Sequence, residues 1–156
     1  MADLTRTEVI KLIAIATQRV DLTGVNLEGL DLSGLNFRNG ILISANFSGA
    51  NLSGATLSGA NLSWATLSGA NLTNAYLFNA DLSNANLSRA YLSRATLSRA
   101  TLSDADLSNA DLSNANLTRA ILLETNLTEA DLSDANLSGA NLLSATLLGV
   151  KGIKNY

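Results

Sequence analysis

The 156-residue chain contains no cysteine, no histidine and no proline. Without cysteine there are no disulfides and no thiolate metal ligands, and the redox compartment goes unmarked. Without histidine the usual proton shuttle at neutral pH and the imidazole metal ligand are missing as well. Aromatic residues are scarce, at one Trp, three Tyr and three Phe, and charged residues make up only 15% of the chain. No apolar run is long enough to span a bilayer. The length suits a single domain, and 47% apolar content is enough for a core.

What the chain does have is one rule. Leu or Phe occupies every fifth position from Leu22 to Leu147, in 26 consecutive repeats whose two exceptions to Leu are Phe37 and Phe47. Two residues before each, from Ala45 to Ala145, Ala fills 20 of 21 positions, Thr125 being the exception. A helix advances 100° per residue, so a period of five forms no stripe. A flat strand sends odd-spaced residues to alternate faces. The pattern is satisfied by a chain that bends once per repeat, with Leu and Ala inward and the rest outward. Stacked turns of such a path make a β-solenoid, in which neighbouring units bury together what none buries alone. Nearly every backbone N–H is then committed to a neighbouring coil, which accounts for the missing proline.

Segments such as Ala50-Asn51-Leu52-Ser53-Gly54 and Ala85-Asn86-Leu87-Ser88-Arg89 match the motif A(D/N)LXX and resemble the pentapeptide-repeat family. The resemblance implies an all-β fold, a right-handed quadrilateral β-helix with four repeats per 20-residue coil. The 26 repeats then give about 6.5 coils stacked about 4.8 Å apart, a slim rod roughly 30 Å long. Outward residues agree with a 20-residue wrap: Ile41 and Ile121 share one column, and Ile43, Leu123 and Leu143 another. Ala is read as the least replaceable letter and the fifth position, which takes Gly, Asn, Arg, Asp, Glu or Trp64, as a relaxed solvent site. The recurring Asn is assigned to hydrogen bonding between coils. The many Asn-Leu-Ser and Asn-Leu-Thr sequons follow from the repeat and carry no information.

The chain divides into a helical cap (1–19), the repeat β-helix (20–149) and a C-terminal tail (150–156). Residues 5–19 read as a helix across the open first coil. Thr5 and Glu8 form a capping box, Val9, Leu12, Ile13, Ala16 and Val20 share a face, and Ile10 and Ile15 widen it. Val20, Val25, Leu30 and Leu35 replace Ala and make a bulkier layer beneath. Ala14-Ile15-Ala16 mimics a leader cleavage site, but Asp3, Glu8 and Lys11 fit a leader poorly. The reading is cytoplasmic and free of membrane, with periplasm or thylakoid lumen as the alternative if a leader has been removed. At the other end Leu143 and Leu148 replace Ser, and Val150, Ile153 and Tyr156 follow. The tail is expected to plug the last coil, with a homodimer through that end as the alternative.

The rule is broken locally. Asn39-Gly40 suggests a changed turn, and Ile121 to Thr125 form a second break. Ile121, Leu123, Leu143 and Leu148 make a candidate apolar end patch, read as a seat for the tail or else a partner site. Charge is uneven. Residues 101–135 carry Asp104, Asp106, Asp111, Glu124, Glu129, Asp131 and Asp134 against Arg119, whereas residues 36–100 carry Arg38, Arg89, Arg94 and Arg99 against Asp81. The plain account is solubility with weak pairing of Arg and acidic residues on neighbouring coils.

Those seven acidic residues are nevertheless the candidate partner surface. Asp111 beside Asp131 in adjacent coils is expected to raise one carboxyl pKa, yet no pocket, nucleophile or phosphate loop accompanies them. The chain is therefore read as a non-enzyme with no cofactor, a structural or protein-interaction module whose protein partner is unidentified. The resemblance supplies the alternative, because some family members protect DNA gyrase by mimicking B-DNA in width and negative surface. Direct nucleic-acid binding is not expected, since the arginines fall on different faces. If Leu87 faces in and Ser88 out, Leu87→Asp unfolds the rod or splits its cooperativity while Ser88→Asp is nearly neutral. Thermal melts check this, and equal melting temperatures refute the assignment.

Overall fold

The computed structural model describes residues 2–16 and 19–153. Parallel β-bridges join residues 20 apart, from Asp21↔Ile41 and Asn26↔Asn46 to Asp131↔Lys151, so four five-residue sides close one coil. We number the four faces by the columns that start at Asp21, Asn26, Asp31 and Asn36. Each side follows the same path: one bridging residue, an inward Leu or Phe, and a corner made of a two-residue turn and the residue that closes it, Ala in most repeats. No strand is longer than its single bridge, so the expected all-β coil is β in its pairing but not in strand length. The physical reason is the period, since a bend every fifth residue leaves one position per side with room for a ladder.

The backbone donors of a side can be followed one by one. Asn46 N–H donates to the Val25 carbonyl of the coil before (3.0 Å), and Phe47 and Gly49 donate to Thr66 and Ser68 in the coil after (2.7 and 2.9 Å). Ala50 N–H closes the turn on Phe47 O at 2.9 Å. That leaves Ser48, whose N–H donates to the Asn46 side-chain oxygen at 3.0 Å. The same local bond recurs at Ser63 to Asn61, Ser83 to Asp81 and Ser133 to Asp131. The main task of the Asn/Asp position is thus an Asx turn within the side. Bonds between coils are an addition at some sites, as where Asn46 Nδ2 donates to Asn26 and Asn126 Nδ2 to Asp106.

The fifth position is far from relaxed. In all 26 repeats it has φ between 54° and 69°, following a residue of negative φ in the manner of a type II turn. Gly and Asn fit such a left-handed backbone; Arg, Glu and Trp occupy it at a cost of roughly 1–2 kcal/mol each. Asn39-Gly40 does not alter the turn: Asn39 has φ 54° and Gly40 N–H bonds Phe37 O at 2.9 Å. Gly40 stands at an Ala corner because a Cβ there would lie 2.9 Å from Phe37 O and 3.3 Å from Val20 Cγ1 of the coil below.

The Leu and Phe ladder is buried from Leu22 to Leu137, with Ala45 to Ala120 and Ala130 packed between its rungs. Thr125 replaces one Ala, is fully buried, and satisfies its hydroxyl by donating to Leu102 O at 2.7 Å. The helix α1 (Arg6–Ile15) has Thr5 as N-cap with both bonds of the capping box to Glu8. Val9 is fully buried, and Leu12, Ile13 and Ala16 pack against the core together with Val25, Leu30 and Leu35. The apolar face is narrower than expected, because Ile10 and Ile15 are 42% and 73% exposed. At the far end Leu132 N–H bonds Lys151 O and Lys151 N–H bonds Ala130 O, so the tail continues the coil as far as it is described instead of crossing its end. Leu147 remains 41% exposed. Tyr156 and the rest of the expected plug beyond Ile153 lie outside the described residues, as do Met1, Thr17 and Gln18 of the cap segment. Trp64 is 63% exposed at a corner with φ 62°. Replacing it with Asn, which tolerates that conformation, is expected to stabilise the fold by about 0.5–1 kcal/mol, measured by urea unfolding.

Candidate interaction surfaces

The wrap sorts the seven acidic residues by column. Asp111 and Asp131 bridge each other on the third face, and Asp104 stands below Glu124 at the corner after the first face, where Asp104 N–H bonds Leu123 O. Asp106 lies on the second face between Asn86 and Asn126. Glu129 sits at the next corner, its carboxylate against Gly149, and Asp134 sits at the corner after the third face. The structure therefore brings together two vertical pairs and leaves three carboxylates single.

The electrostatics differ from expectation in two ways. The carboxyl of Asp131 is held below its ordinary value, chiefly by the Ser133 hydroxyl and N–H, with a smaller contribution from Lys151. Local hydrogen bonding to the charged form sets the direction of this shift. Asp21 and Asp31 are lowered by the same Asx arrangement with Thr23 and Ser33. Nor do the arginines pair with acids on neighbouring coils. Among the described residues the one ion pair is Arg6–Asp31 at 3.7 Å. Arg89 and Glu129, or Arg94 and Asp134, are separated by the full coil that holds Asn109 and Asn114.

The apolar candidates split over two faces. Ile121, Leu123 and Leu143 share the first face, with Leu143 O accepting from Glu124 N–H, whereas Leu148 lies on the second. Exposure is 38% for Ile121, 68% for Leu143 and 71% for Leu148, while Leu123 is half-buried. The tail up to Ile153 follows the third face, as the Asp131↔Lys151 bridge shows, and so does not sit on this patch.

A group that the sequence reading passed over is aromatic. Tyr76 and Phe78 on the fourth face, Tyr91 on the third and Trp64 at a corner are all exposed. The Arg99 guanidinium lies 5.9 Å from the centre of the Phe78 ring. The signal was present in the letters, since Tyr76 and Tyr91 stand where the motif has Asp or Asn, and Phe78 where it has Ser. A shallow groove of about 310 Å³ runs below Tyr91, lined by Gly49, Ala50, Asn51, Gly69, Asn71 and Thr73. It holds no carboxylate, amine or thiol. Among the described residues no group of acidic side chains is arranged to hold a metal ion, and no helix is long and apolar enough to cross a membrane.

With a coil of four five-residue sides established, the model for pentapeptide repeats matches eight copies along this chain, over residues 21–59, 45–84, 55–94, 75–114 and 110–147. The chain belongs to the pentapeptide-repeat family. Pentapeptide-repeat proteins form a β-helix, and solved members are similar to this one. The Nostoc Pcc 7120 pentapeptide repeat protein alr5209 is 36% identical over 55% of this chain and 83% of that one, with a TM-score of 0.48. A pentapeptide repeat protein (Rfr23) from the cyanobacterium Cyanothece 51142 is 28% identical over 96% of both chains, with a TM-score of 0.33. QnrB1, a plasmid-mediated fluoroquinolone resistance protein, is 24% identical over 83% of this chain, with a TM-score of 0.46. The chain spans 65% of the length of that solved chain, a trypsin-treated variant. No curated protein matches.

The lowered carboxyls make a pH prediction. A group whose pKa is depressed on folding contributes stability above its unfolded value, and that contribution is lost as pH falls through the folded value. The melting temperature should therefore hold above about pH 5 and drop below about pH 4. Asp131→Asn, which keeps the acceptor for Ser133 N–H, should show a smaller acid drop in melts across this range.

Proposed function

We propose that this pentapeptide-repeat protein is a noncatalytic interaction module, a right-handed quadrilateral rod that presents surfaces to a protein partner. The working division is a cap (1–19), the rod (20–149) and a tail (150–156), located in the cytoplasm. The observation that carries the reading is the contrast between an interior that repeats one motif and a last coil on which no further coil stacks among the described residues. Leu143, Leu147 and Leu148 are 68%, 41% and 71% exposed there, beside Ile121. Exposed apolar side chains clustered at one end of an otherwise Ser- and Asn-rich rod are the composition of a contact surface. The favoured docking site is therefore the C-terminal end, with Ile121, Leu123, Leu143 and Leu148 as its contact residues. The first experiment is the molecular mass in solution, before and after deletion of residues 148–156. A dimer that becomes monomeric supports the site. A monomer that only loses stability makes the tail structural and moves the partner elsewhere.

The second reading is a DNA mimic that occupies the DNA groove of gyrase, with Asp104, Asp106, Asp111, Glu124, Glu129, Asp131 and Asp134 in the place of phosphates. The stacked Asp111 and Asp131 favour it, since two carboxylates in a vertical row about 4.8 Å apart begin the kind of charge row that phosphates make at about 3.4 Å along each DNA strand. The shortness of the acidic columns argues against it, because mimicry needs continuous rows. A gyrase supercoiling assay decides: the module reading expects neither inhibition nor protection from quinolones at micromolar protein, and either effect would install the mimic in its place.

A further inference from the structure

The two ends of the rod are finished differently, and the difference is written in hydrogen bonds. Within the rod each side is held to the coil before it by two donors from that earlier coil and by one donor, the bridging N–H, that it returns. In the pattern of Leu32 donating to Asn51 O and Gly34 to Ser53 O, two N–H groups reach two carbonyls two residues apart. The first coil has no such predecessor. On its third face Arg6 of α1 fills the gap: Nη1 donates to Asp31 O at 2.5 Å and Nη2 to Ser33 O at 3.2 Å. The two arms of one guanidinium thus stand where a Leu N–H and a corner N–H of a preceding coil would stand. On the second face Asp3 does the same with its backbone and side chain, donating its N–H to Asn26 O at 2.7 Å and accepting Asn26 N–H on its carboxylate at 2.8 Å. The N-terminal cap is therefore more than an apolar lid, because on two faces it reproduces the bonding pattern of a coil.

The opposite end offers what the cap imitates. The N–H groups of Leu137, Gly139, Leu142, Ser144, Leu147 and Gly149 have no hydrogen-bond partner among the described residues. They come in pairs of Leu and corner residue, the same pairs that bind the next coil everywhere else in the rod. Leu142 and Leu147 lie beside them with part of their apolar surface uncovered. A sheet edge of this kind is a template for another edge of matching register.

We propose that the last coil is a docking edge for the first coil of a second copy of this chain, and that Arg6 and Asp3 block that head-to-tail stacking by occupying the acceptors it needs. The step of the solenoid sets the register. The last bridge among the described residues is at Lys151, so the incoming Asp21, Asn26, Asp31 and Asn36 fall above Asn136, Asn141, Thr146 and Lys151. Leu147 and Gly149 then donate to Asp31 O and Ser33 O, the two carbonyls that Arg6 holds, and Leu142 donates to Asn26 O, which Asp3 holds. Val25, Leu30 and Leu35, packed under the helix in the single chain, are covered instead by Leu142 and Leu147. The contact is heterologous and does not close, so release of the cap leads to filaments. The inference rests on the interaction-module reading above and names its partner at the C-terminal end. It is separable from that reading, because a two-fold contact between two C-terminal ends stops at a dimer.

The test uses the full chain. Arg6→Ala removes the two donors that tie α1 to the first coil, so that the helix, then held chiefly by Val9, can be displaced from Val25, Leu30 and Leu35, and it leaves the Thr5–Glu8 capping box intact. Light scattering should show its mass rising with concentration beyond twice the 16.2 kDa chain mass, and Leu147→Asp added to it should return the monomer. The absence of cysteine allows a second readout. Ser33 and Leu148 would lie in adjacent coils about 4.8 Å apart, within disulfide reach. An equimolar mixture of Ser33→Cys and Leu148→Cys copies in the Arg6→Ala background should therefore cross-link with each other on oxidation. Cross-linking of Leu148→Cys only with itself overturns the proposal and leaves the two-fold contact. Monomeric Arg6→Ala at several hundred micromolar, with an unchanged circular-dichroism spectrum, overturns it too. Should Arg6→Ala fail to fold, Asp3→Pro takes its place, since it removes both the N–H that Asn26 O accepts and the carboxylate that accepts Asn26 N–H: growth beyond a dimer and mixed cross-links support the proposal, and a monomer or self-linked Leu148→Cys overturns it.

Discussion

The constraint on which the rest depends is the hydrogen bonding between successive coils. A chain that bends every fifth residue gives up long strands, so each side keeps a single bridge and three bonds to its neighbours, as at Asn46, Phe47 and Gly49. Two further conditions complete the circuit. The fourth N–H must close a turn, which drives the fifth position to positive φ, and the last must find a side chain, which selects Asn or Asp before Leu. The repeat A(D/N)LXX is the sequence form of that circuit: Ala is small enough for the corner, Asn or Asp makes the Asx turn, and Leu fills the tube.

Stability in such a molecule is a sum over neighbouring coils, and its ends are the places where the sum is incomplete. The N-terminal end is completed by a helix that buries Val9 and by Arg6 and Asp3, which supply the bonds of a missing coil. The C-terminal end keeps its donors and its leucines in view. The walls between are mostly Ser, Asn and Thr. The exceptions on the walls are the exposed aromatics from Trp64 to Tyr91, of which Phe78 lies beneath the Arg99 guanidinium.

Much of this was legible in the letters. Period five fixed which side chains turn inward, and the capping box at Thr5 and Glu8 announced α1. The fifth position was misjudged because the same residues, Gly, Asn, Asp and Arg, satisfy two different rules. They are what solvent exposure allows and also, for Gly and Asn, what a left-handed backbone prefers. Trp64 and Glu124 at that position obscured the second rule. Asn at the second position was credited to contacts between coils, since periodicity cannot distinguish a neighbour two residues away from one 20 residues away. Asp131 shows the same limit in its charge: proximity to Asp111 was readable, but the stronger local bonds from Ser133 required coordinates. The role of Arg6 was invisible in sequence, because nothing in a lone arginine says that it replaces two backbone donors.

Amide hydrogen exchange followed residue by residue tests the circuit directly. Leu and corner amides of the middle coils, such as Leu92 and Arg94, are expected to exchange slowly, since each donates to the next coil. Among the serines that follow Leu, those with an Asx acceptor, Ser53, Ser63 and Ser83, should exchange more slowly than Ser93, Ser98 and Ser103, which follow Tyr91, Thr96 and Thr101 and lack one. Leu and corner amides exchanging as fast as those unprotected serines would contradict the account.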